Sequence, residues 1–148
     1  MLPIEDFFPL LHIPSKIVIT THQKPDGDAM GSSLGLMNFL LKFNHQVQVI
    51  SPTNWASFLN WMPGCNTVLD FEQKKLLSEK IIKEADYIFC LDFNTLSRIK
   101  NMESHVSNSP AKKILIDHHE QPQTEAFNYG ISIPAKSSTC EMVYDFIV

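Results

Sequence analysis

The chain has few of the features that mark secreted, membrane-spanning or zinc-finger proteins. Its three cysteines, Cys65, Cys90 and Cys140, are widely spaced and form no Cys-x-x-Cys pair, so neither a disulfide framework nor a structural zinc site is expected. No apolar run approaches the ~20 residues needed to span a bilayer. The N-terminus also lacks the basic segment that begins a signal peptide. These absences predict a cytoplasmic protein that does not contact a membrane.

Basic side chains are also scarce. The 148 residues include 12 Lys and Arg against 16 Asp and Glu, which gives a net charge of -4. Binding long nucleic acid through a broad face requires clustered basic side chains, so long duplex DNA is not an expected partner. Small phosphate-bearing ligands are compatible with this charge, because bound divalent cations reverse its sign locally. The length and the 44% hydrophobic content indicate one globular domain.

Apolar segments alternate along the chain with segments of helical periodicity. Strand character is found at 16–21, 46–51, 67–71, 86–93, 112–117 and, more weakly, 129–133. Helical periodicity is found at 28–43, 54–61, 73–85 and 95–106. The clearest helix should end near Asn44, which can adopt the left-handed conformation of a C-terminal cap. This alternation predicts an α/β fold, a Rossmann-like parallel sheet with helices on both faces.

Ligand-type side chains follow three of the predicted strands. They are His22, Asp26 and Asp28 after the first strand, Asp92 after the fourth, and Asp117, His118 and His119 at the end of the fifth. The carboxyl ends of parallel strands line one crevice, so these side chains are expected to meet there on metal ions. A metal-dependent phosphoesterase is therefore the leading hypothesis.

Each cluster also has a plainer interpretation. Pro-Asp-Gly is a common turn sequence, and Asp28 could simply cap the following helix. Asp92 could be a turn residue, and a polar pair after a strand is ordinary. The placement of all three clusters at strand ends favours a shared function. Oxygen and imidazole ligands together suit Mn²⁺, Fe²⁺, Co²⁺ or Zn²⁺ better than Mg²⁺.

Four motifs resemble the DHH phosphoesterase superfamily in order and spacing. They are His22-x-x-x-Asp26-x-Asp28-Ala29, Leu91-Asp92, Asp117-His118-His119 and the helix start Ser137-Ser138-Thr139-Cys140-Glu141. The last is similar to the oligoribonuclease and nucleotide phosphatase branch of that superfamily. The resemblance implies a hydrolase acting on small nucleotides, on short oligonucleotides (nano-RNA) as an exonuclease, or on 3′-phosphoadenosine 5′-phosphate. It also implies two Mn²⁺ ions as cofactor, with Mg²⁺ or Co²⁺ as substitutes.

The resemblance further assigns metal ligands. His22, Asp26 and Asp92 would hold one ion, while Asp28, Asp92 and His118 would hold the other, so that Asp92 bridges the pair. A water activated by both ions would attack phosphorus, because the ions lower its pKa and stabilise charge on the attacking and leaving oxygens. Asp92 and His118 are therefore also expected to be catalytic.

Neighbouring residues are expected to contact the substrate. By the resemblance, His119 is catalytic and contacts the scissile phosphate, and Asp117 supports the histidines. Arg98 and Ser32 are weaker candidates for phosphate binding. An ordinary surface arginine and a small packing serine explain those two residues equally well.

Members of this superfamily carry a further Asp ligand downstream of the histidine pair, followed by a substrate-binding domain. This chain instead ends at Val148, soon after a Ser138-x-x-Glu141 spacing typical of a capping box. We therefore expect residues 1–148 to form the N-terminal part of a DHH catalytic domain, without the C-terminal domain and with little activity alone. A homodimer is compatible with the sequence.

Two alternatives stay open. One is an inorganic pyrophosphatase similar to family II, against which the Ser-rich helix start argues. The other is a non-enzymatic regulatory domain that binds metal or nucleotide, against which the complete ligand motifs argue. Trp55 and Trp61 flank an apolar turn, and we expect them in the core rather than as a platform for stacking bases.

Overall fold

The computed structural model describes all 148 residues, Met1–Val148. Its strands are β1 (Leu2–Pro3), β2 (Lys16–Thr20), β3 (Gln46–Ser51), β4 (Leu69–Asp70), β5 (Tyr87–Leu91), β6 (Lys112–Asp117) and β7 (Tyr129–Ser132). Its α-helices are α1 (Gly27–Leu40), α2 (Lys75–Glu84), α3 (Glu103–Asn108) and α4 (Thr139–Ile147). The strands form one parallel sheet in the order β1-β7-β6-β5-β2-β3-β4. The predicted α/β fold is confirmed.

Helices cover both faces of the sheet, and the central strands are buried on both sides. In β5, Phe89 and Leu91 belong to the core that α1 and α4 cover. The alternate residues Ile88 and Cys90 belong to the second core, beside α2 and α3. This division follows from the two-residue period of a strand, which sends successive side chains to opposite faces. No helix combines the length and the apolar character needed to cross a membrane.

Two predicted helices are shorter or less regular than expected. Residues 54–61 contain only the 3-10 turn Ser57–Leu59. Residues 95–106 form a 3-10 segment, Leu96–Met102, which leads into α3. Lys100 interrupts that segment with φ 51° and ψ -120°, so regular α-helical hydrogen bonding cannot run through it. The predicted cap is confirmed, because Asn44 adopts φ 65° after α1.

The short turn also changes where the aromatic side chains lie. Trp61 is 75% exposed, so the expectation that it lies in the core is wrong. Trp55 is half-buried against the core, and its Nε1 donates to Asn60 Oδ1 at 2.9 Å. A single 3-10 turn has no continuous apolar face that could bury both tryptophans. Phe58, within the turn, is likewise 74% exposed.

The capping box predicted for α4 is half formed. Ser138 Oγ accepts the backbone N–H of Glu141 at 3.1 Å, as the motif requires. The reciprocal bond is absent, because Glu141 Oε2 instead accepts the backbone N–H and the hydroxyl of Ser137. These bonds fix the amino end of α4, which packs beside α1.

Two glycines, one in β7 and one in α1, provide a test of the fold. A Cβ atom at Gly130 in β7 would lie 2.8 Å from the Leu115 carbonyl oxygen and 2.9 Å from Leu115 Cβ. Gly130→Ala should therefore lower the free energy of unfolding by about 1–3 kcal/mol. A Cβ at Gly35, which is exposed on α1, meets no heavy atom within 4 Å. Gly35→Ala should raise the free energy of unfolding by about 0.5–1 kcal/mol, because alanine favours the helix.

Denaturant unfolding followed by circular dichroism measures both effects. A Gly130→Ala protein as stable as the original chain would contradict the close approach of β7 to β6.

Candidate metal centre

The candidate site lies at the carboxyl ends of β2, β5 and β6, three adjacent strands at the centre of the sheet. The chain passes from β2 to β3 on one side, whereas β5 pairs with β2 on the other side. The strand order therefore reverses at β2. A crevice at such a reversal is where open α/β sheets bind ligands.

Three side chains from the ends of β2 and β5 form one compact group. His22, Asp26 and Asp92 offer ligand-type atoms that lie within 4.8 Å of one another. His22 Nε2 is 3.4 Å from Asp92 Oδ2 and 3.9 Å from Asp26 Oδ1. The other ring nitrogen, Nδ1, donates to the Gln23 carbonyl oxygen at 2.7 Å. This second bond orients the imidazole so that Nε2 faces the carboxylates.

The charge state of His22 follows from these contacts. Its hydrogen bond to Asp92 raises the pKa of His22, against the opposing effect of burial. The carboxylates therefore attract a positive charge at Nε2, and a divalent cation would compete with the proton for that position.

Asp92 lies between His22 and His118, two of the three histidines that are expected at the site. It is 3% exposed and has φ 65°, and its backbone N–H donates to the Ile116 carbonyl oxygen at 3.1 Å. Aspartate is among the few non-glycine residues that adopt this left-handed conformation. Oδ2 faces His22, while Oδ1 lies 3.5 Å from His118 Nε2. The two oxygens of one carboxylate thus face two different imidazoles.

Asp28 is held mainly by the amino end of α4. Its Oδ2 lies 3.7 Å from His118 Nε2. Its carboxylate also accepts the backbone N–H groups of Thr139 at 3.0 Å and Cys140 at 2.8 Å. Burial acts to raise the pKa of Asp28, but these backbone donors outweigh it and the pKa is lowered. Asp28 is therefore ionised and tied to α4.

Asp26, rather than Asp28, caps α1. Asp26 Oδ1 accepts the backbone N–H of Ala29 at 2.9 Å. The turn interpretation of Pro-Asp-Gly is thus correct for Asp26, which nevertheless lies in the compact group with His22. One carboxylate can serve both purposes because each oxygen carries two lone pairs.

Thr139 contacts the site, although its motif was not predicted to contact the metal ligands. Its side chain is fully buried, and Oγ1 donates to Asp92 Oδ1 at 3.0 Å. The Ser/Thr-rich helix start was visible in the sequence, but its contact with a residue 47 positions away was not. Burial and the neighbouring carboxylates raise the pKa of the adjacent Cys140 to about 12.

Asp117 orients His119. Asp117 is fully buried, its Oδ1 lies 2.6 Å from His119 Nδ1, and its Oδ2 accepts the His119 backbone N–H at 3.0 Å. A second compact group within 4.8 Å consists of Asp92, His118 and His119. Asp28, which the resemblance assigned to this ion, is outside the group, although its carboxylate adjoins His118.

Arg98 and Ser32, the two weaker candidates for phosphate binding, have different surroundings. The Arg98 carbonyl oxygen accepts the backbone N–H of Gln23 at 3.0 Å, so the Arg98 backbone adjoins the loop after His22. Ser32 is buried within α1, and its hydroxyl donates to the Ala29 carbonyl oxygen at 3.2 Å. The phosphate contacts expected of Arg98 and Ser32 stay predictions.

The whole donor set fits a divalent metal ion. Carboxylate oxygens and imidazole nitrogens converge from three strand ends, and at least one imidazole is oriented by a backbone carbonyl. Such mixed oxygen and nitrogen sites suit manganese and its neighbours in the first transition row.

Known proteins resemble this chain in sequence and in structure. The sequence model of the DHH family, N-terminal domain, matches residues 16–148. An exopolyphosphatase-related protein from Bacteroides fragilis is 45% identical, with a TM-score of 0.92 over 96% of this chain and 42% of that protein. An alpha-glucosyltransferase in complex with UDP and DNA is 10% identical, with a TM-score of 0.62 over 81% of this chain and 38% of that one.

The likeness to the alpha-glucosyltransferase shows a shared fold alone. No curated protein shows significant similarity to the chain. The chain spans less than half the length of the Bacteroides protein that it matches.

Thr139 gives a test of how the site is held. Thr139→Val keeps the shape of the side chain but removes the donor to Asp92 Oδ1. We expect the Kd for Mn²⁺ to rise roughly 10- to 100-fold, the usual cost of losing a hydrogen bond to a ligand. Thr139→Ser keeps the hydroxyl and should bind near the original affinity. Calorimetric titration measures both, and equal affinity in the Val and Ser variants would contradict the role assigned to this bond.

Proposed function

This chain belongs to the DHH family, and on that premise we propose that it is part of a metal-dependent phosphoesterase acting on small nucleotides or short oligonucleotides. The observation that carries the proposal is the position of Asp92. Its two carboxylate oxygens lie 3.4 Å from His22 Nε2 and 3.5 Å from His118 Nε2. A carboxylate placed in this way can bridge two cations, which is the arrangement that hydrolyses phosphate esters in two-metal enzymes.

We assign one Mn²⁺ to His22, Asp26 and Asp92, and a second to Asp92, His118 and Asp28. The first assignment is supported by the compact group of three side chains. The second is supported by the 3.7 Å approach of Asp28 Oδ2 to His118 Nε2. When bound, the ions supply an activated water and stabilise charge on the attacking and leaving oxygens.

His119 is assigned to the scissile phosphate. Its side chain is 38% exposed, so a substrate can reach it, while Asp117 beside it is fully buried. The bonds from Asp117 to the ring and to the backbone hold the imidazole in one orientation. A buried carboxylate beside Nδ1 favours the ring form with a proton on that nitrogen. The other ring nitrogen, Nε2, does not contact Asp117, and it can donate to a phosphate oxygen when it also carries a proton.

The remaining parts of the site are assigned outside residues 1–148. We propose that this chain is the N-terminal part of the catalytic domain, and that a further metal ligand and a substrate-binding domain complete the cleft. The match to only 42% of the Bacteroides protein supports this division.

A second candidate substrate is a chain of inorganic phosphate. The Bacteroides protein is described as exopolyphosphatase-related, and its 45% identity to this chain favours that possibility. We place nucleotides first because the helix start at Ser137–Glu141 resembles the nucleotide branch. The net charge of -4 is compatible with either class once cations are bound.

Asp92→Asn tests the metal-dependent mechanism. Asparagine keeps the size of the side chain and tolerates the φ of 65°, so the fold should be retained. Loss of a bridging charge should remove several kcal/mol of transition-state stabilisation, and kcat/KM of the whole protein should fall roughly a thousandfold. The control is Glu84→Gln, an exposed residue that precedes the amino end of β5, opposite the site. Comparable activity in Asp92→Asn and Glu84→Gln would refute the assignment.

Substrate ranking separates the candidate functions. We expect kcat/KM of the whole protein with Mn²⁺ to be highest for 3′-phosphoadenosine 5′-phosphate or a dinucleotide, and lower for pyrophosphate, polyphosphate and long single strands. A few phosphate contacts, rather than a basic track, would provide the binding energy. If pyrophosphate or polyphosphate ranks first, the second candidate is correct. Mn²⁺ binding without hydrolysis of any of these would indicate the regulatory alternative.

A further inference from the structure

A cavity of about 470 Å³ opens beside the candidate metal centre. One wall is the loop Lys24-Pro25-Asp26-Gly27, and the other is the segment Asn54–Leu59 with its 3-10 turn. The volume falls in the range of roughly 300–1,000 Å³ that is typical of small-molecule sites. Asp26 lines this cavity and also belongs to the compact group with His22 and Asp92. A ligand with its phosphate at the metals would therefore reach the cavity with its next group.

The two walls are joined by a strained residue. Lys24 has φ 46°, a left-handed conformation that is uncommon outside glycine. Its backbone N–H donates to Thr53 Oγ1 at 2.7 Å, and Thr53 immediately precedes the second wall. Such conformations persist only where surrounding contacts hold them, and they cluster at ligand clamps. The bond to Thr53 sets the metal-binding loop against the aromatic segment.

The second wall is aromatic and accessible. Phe58 is 74% exposed, and both Trp55 and Leu59 also line the cavity. A single exposed apolar residue is ordinary, but Phe58 lies with the half-buried Trp55 on one concave surface next to charged groups. The indole of Trp55 is held by its bond to Asn60 and by packing against the core. A flat ring entering the cavity would therefore meet an oriented aromatic surface.

We propose that this cavity is a nucleoside subsite, in which the base of the nucleotide stacks on Trp55 and Phe58 while its phosphate lies at the metals. The inference rests on the proposed function and specifies its substrate class. Lys24 lines the opposite wall and is exposed, so in this proposal its ammonium group pairs with a neighbouring phosphate. Aromatic side chains stack on any base, because every base presents a π face. Inorganic phosphate chains have no such group and gain nothing from this wall.

Tryptophan fluorescence tests the subsite without requiring hydrolysis. Within residues 1–148, Trp55 is the only tryptophan of Trp61→Phe, and Trp61 is the only tryptophan of Trp55→Phe. Trp61 is 75% exposed, lies two residues beyond the segment Asn54–Leu59 and does not line the cavity, so it is a matched control. At a fixed Mn²⁺ concentration, a dinucleotide should quench the fluorescence of Trp55 but not of Trp61, and pyrophosphate should quench neither. Equal quenching of both, or no quenching of Trp55, would overturn the proposal.

Kinetics of the whole protein give an independent test. Phe58→Ala removes an exposed ring and should leave the fold intact. We expect it to raise the KM for a dinucleotide roughly tenfold with little change in kcat, and to leave kcat/KM for pyrophosphate unchanged. Trp61→Ala should leave the KM and kcat for both substrates unchanged.

The two proposals fail in different ways. If the original protein hydrolyses neither substrate, the proposed function is wrong, and the fluorescence titration still decides the subsite. If it hydrolyses the dinucleotide but Phe58→Ala alters both substrates equally, or neither, the subsite is wrong and the phosphoesterase proposal stands.

Discussion

The carboxylates of Asp28 and Asp92 lie close together at the amino end of α4, and the site depends on how their charge is balanced. Thr139 donates its backbone N–H to Asp28 and its hydroxyl to Asp92, so one residue contacts both acids. The positive end of the helix dipole adds to this effect. Without these donors, two nearby carboxylates would repel one another, and one of them would tend to take up a proton. The packing of α4 against α1 is therefore an electrostatic requirement of the site as well as part of the core.

Residues with a strained backbone are also concentrated at the crevice. Of the five non-glycine residues with positive φ, three lie in loops around the crevice, namely Lys24, Asp92 and Gln121. Each follows shortly after the end of β2, β5 or β6. Parallel strands deliver the chain to the crevice in an extended conformation, and a sharp change of direction is then needed to keep side chains over the strand ends. The local cost, of order 1–3 kcal/mol per residue, is offset by the hydrogen bonds and burial around these loops.

The site also explains how an acidic protein could act on phosphates. The acids that contribute to the net charge of -4 include the proposed ligands themselves. Cations bound by them would reverse the local sign, so no broad basic surface is required. In the proposed arrangement, the metals and His119 bind phosphate, and the aromatic segment beside them determines which phosphate ester binds.

The sequence alone determined the parallel α/β fold and the placement of histidines and aspartates at strand ends. Both depend on local regularities, namely the strand and helix periods and the rule that parallel strands end at one edge. Tertiary structure decided the rest. The bond from Thr139 to Asp92, the capture of Asp28 by α4 and the exposure of Trp61 all depend on how distant segments pack. Periodicity shows that a helix has an apolar face, but it carries no information on which distant side chain its first turn will meet.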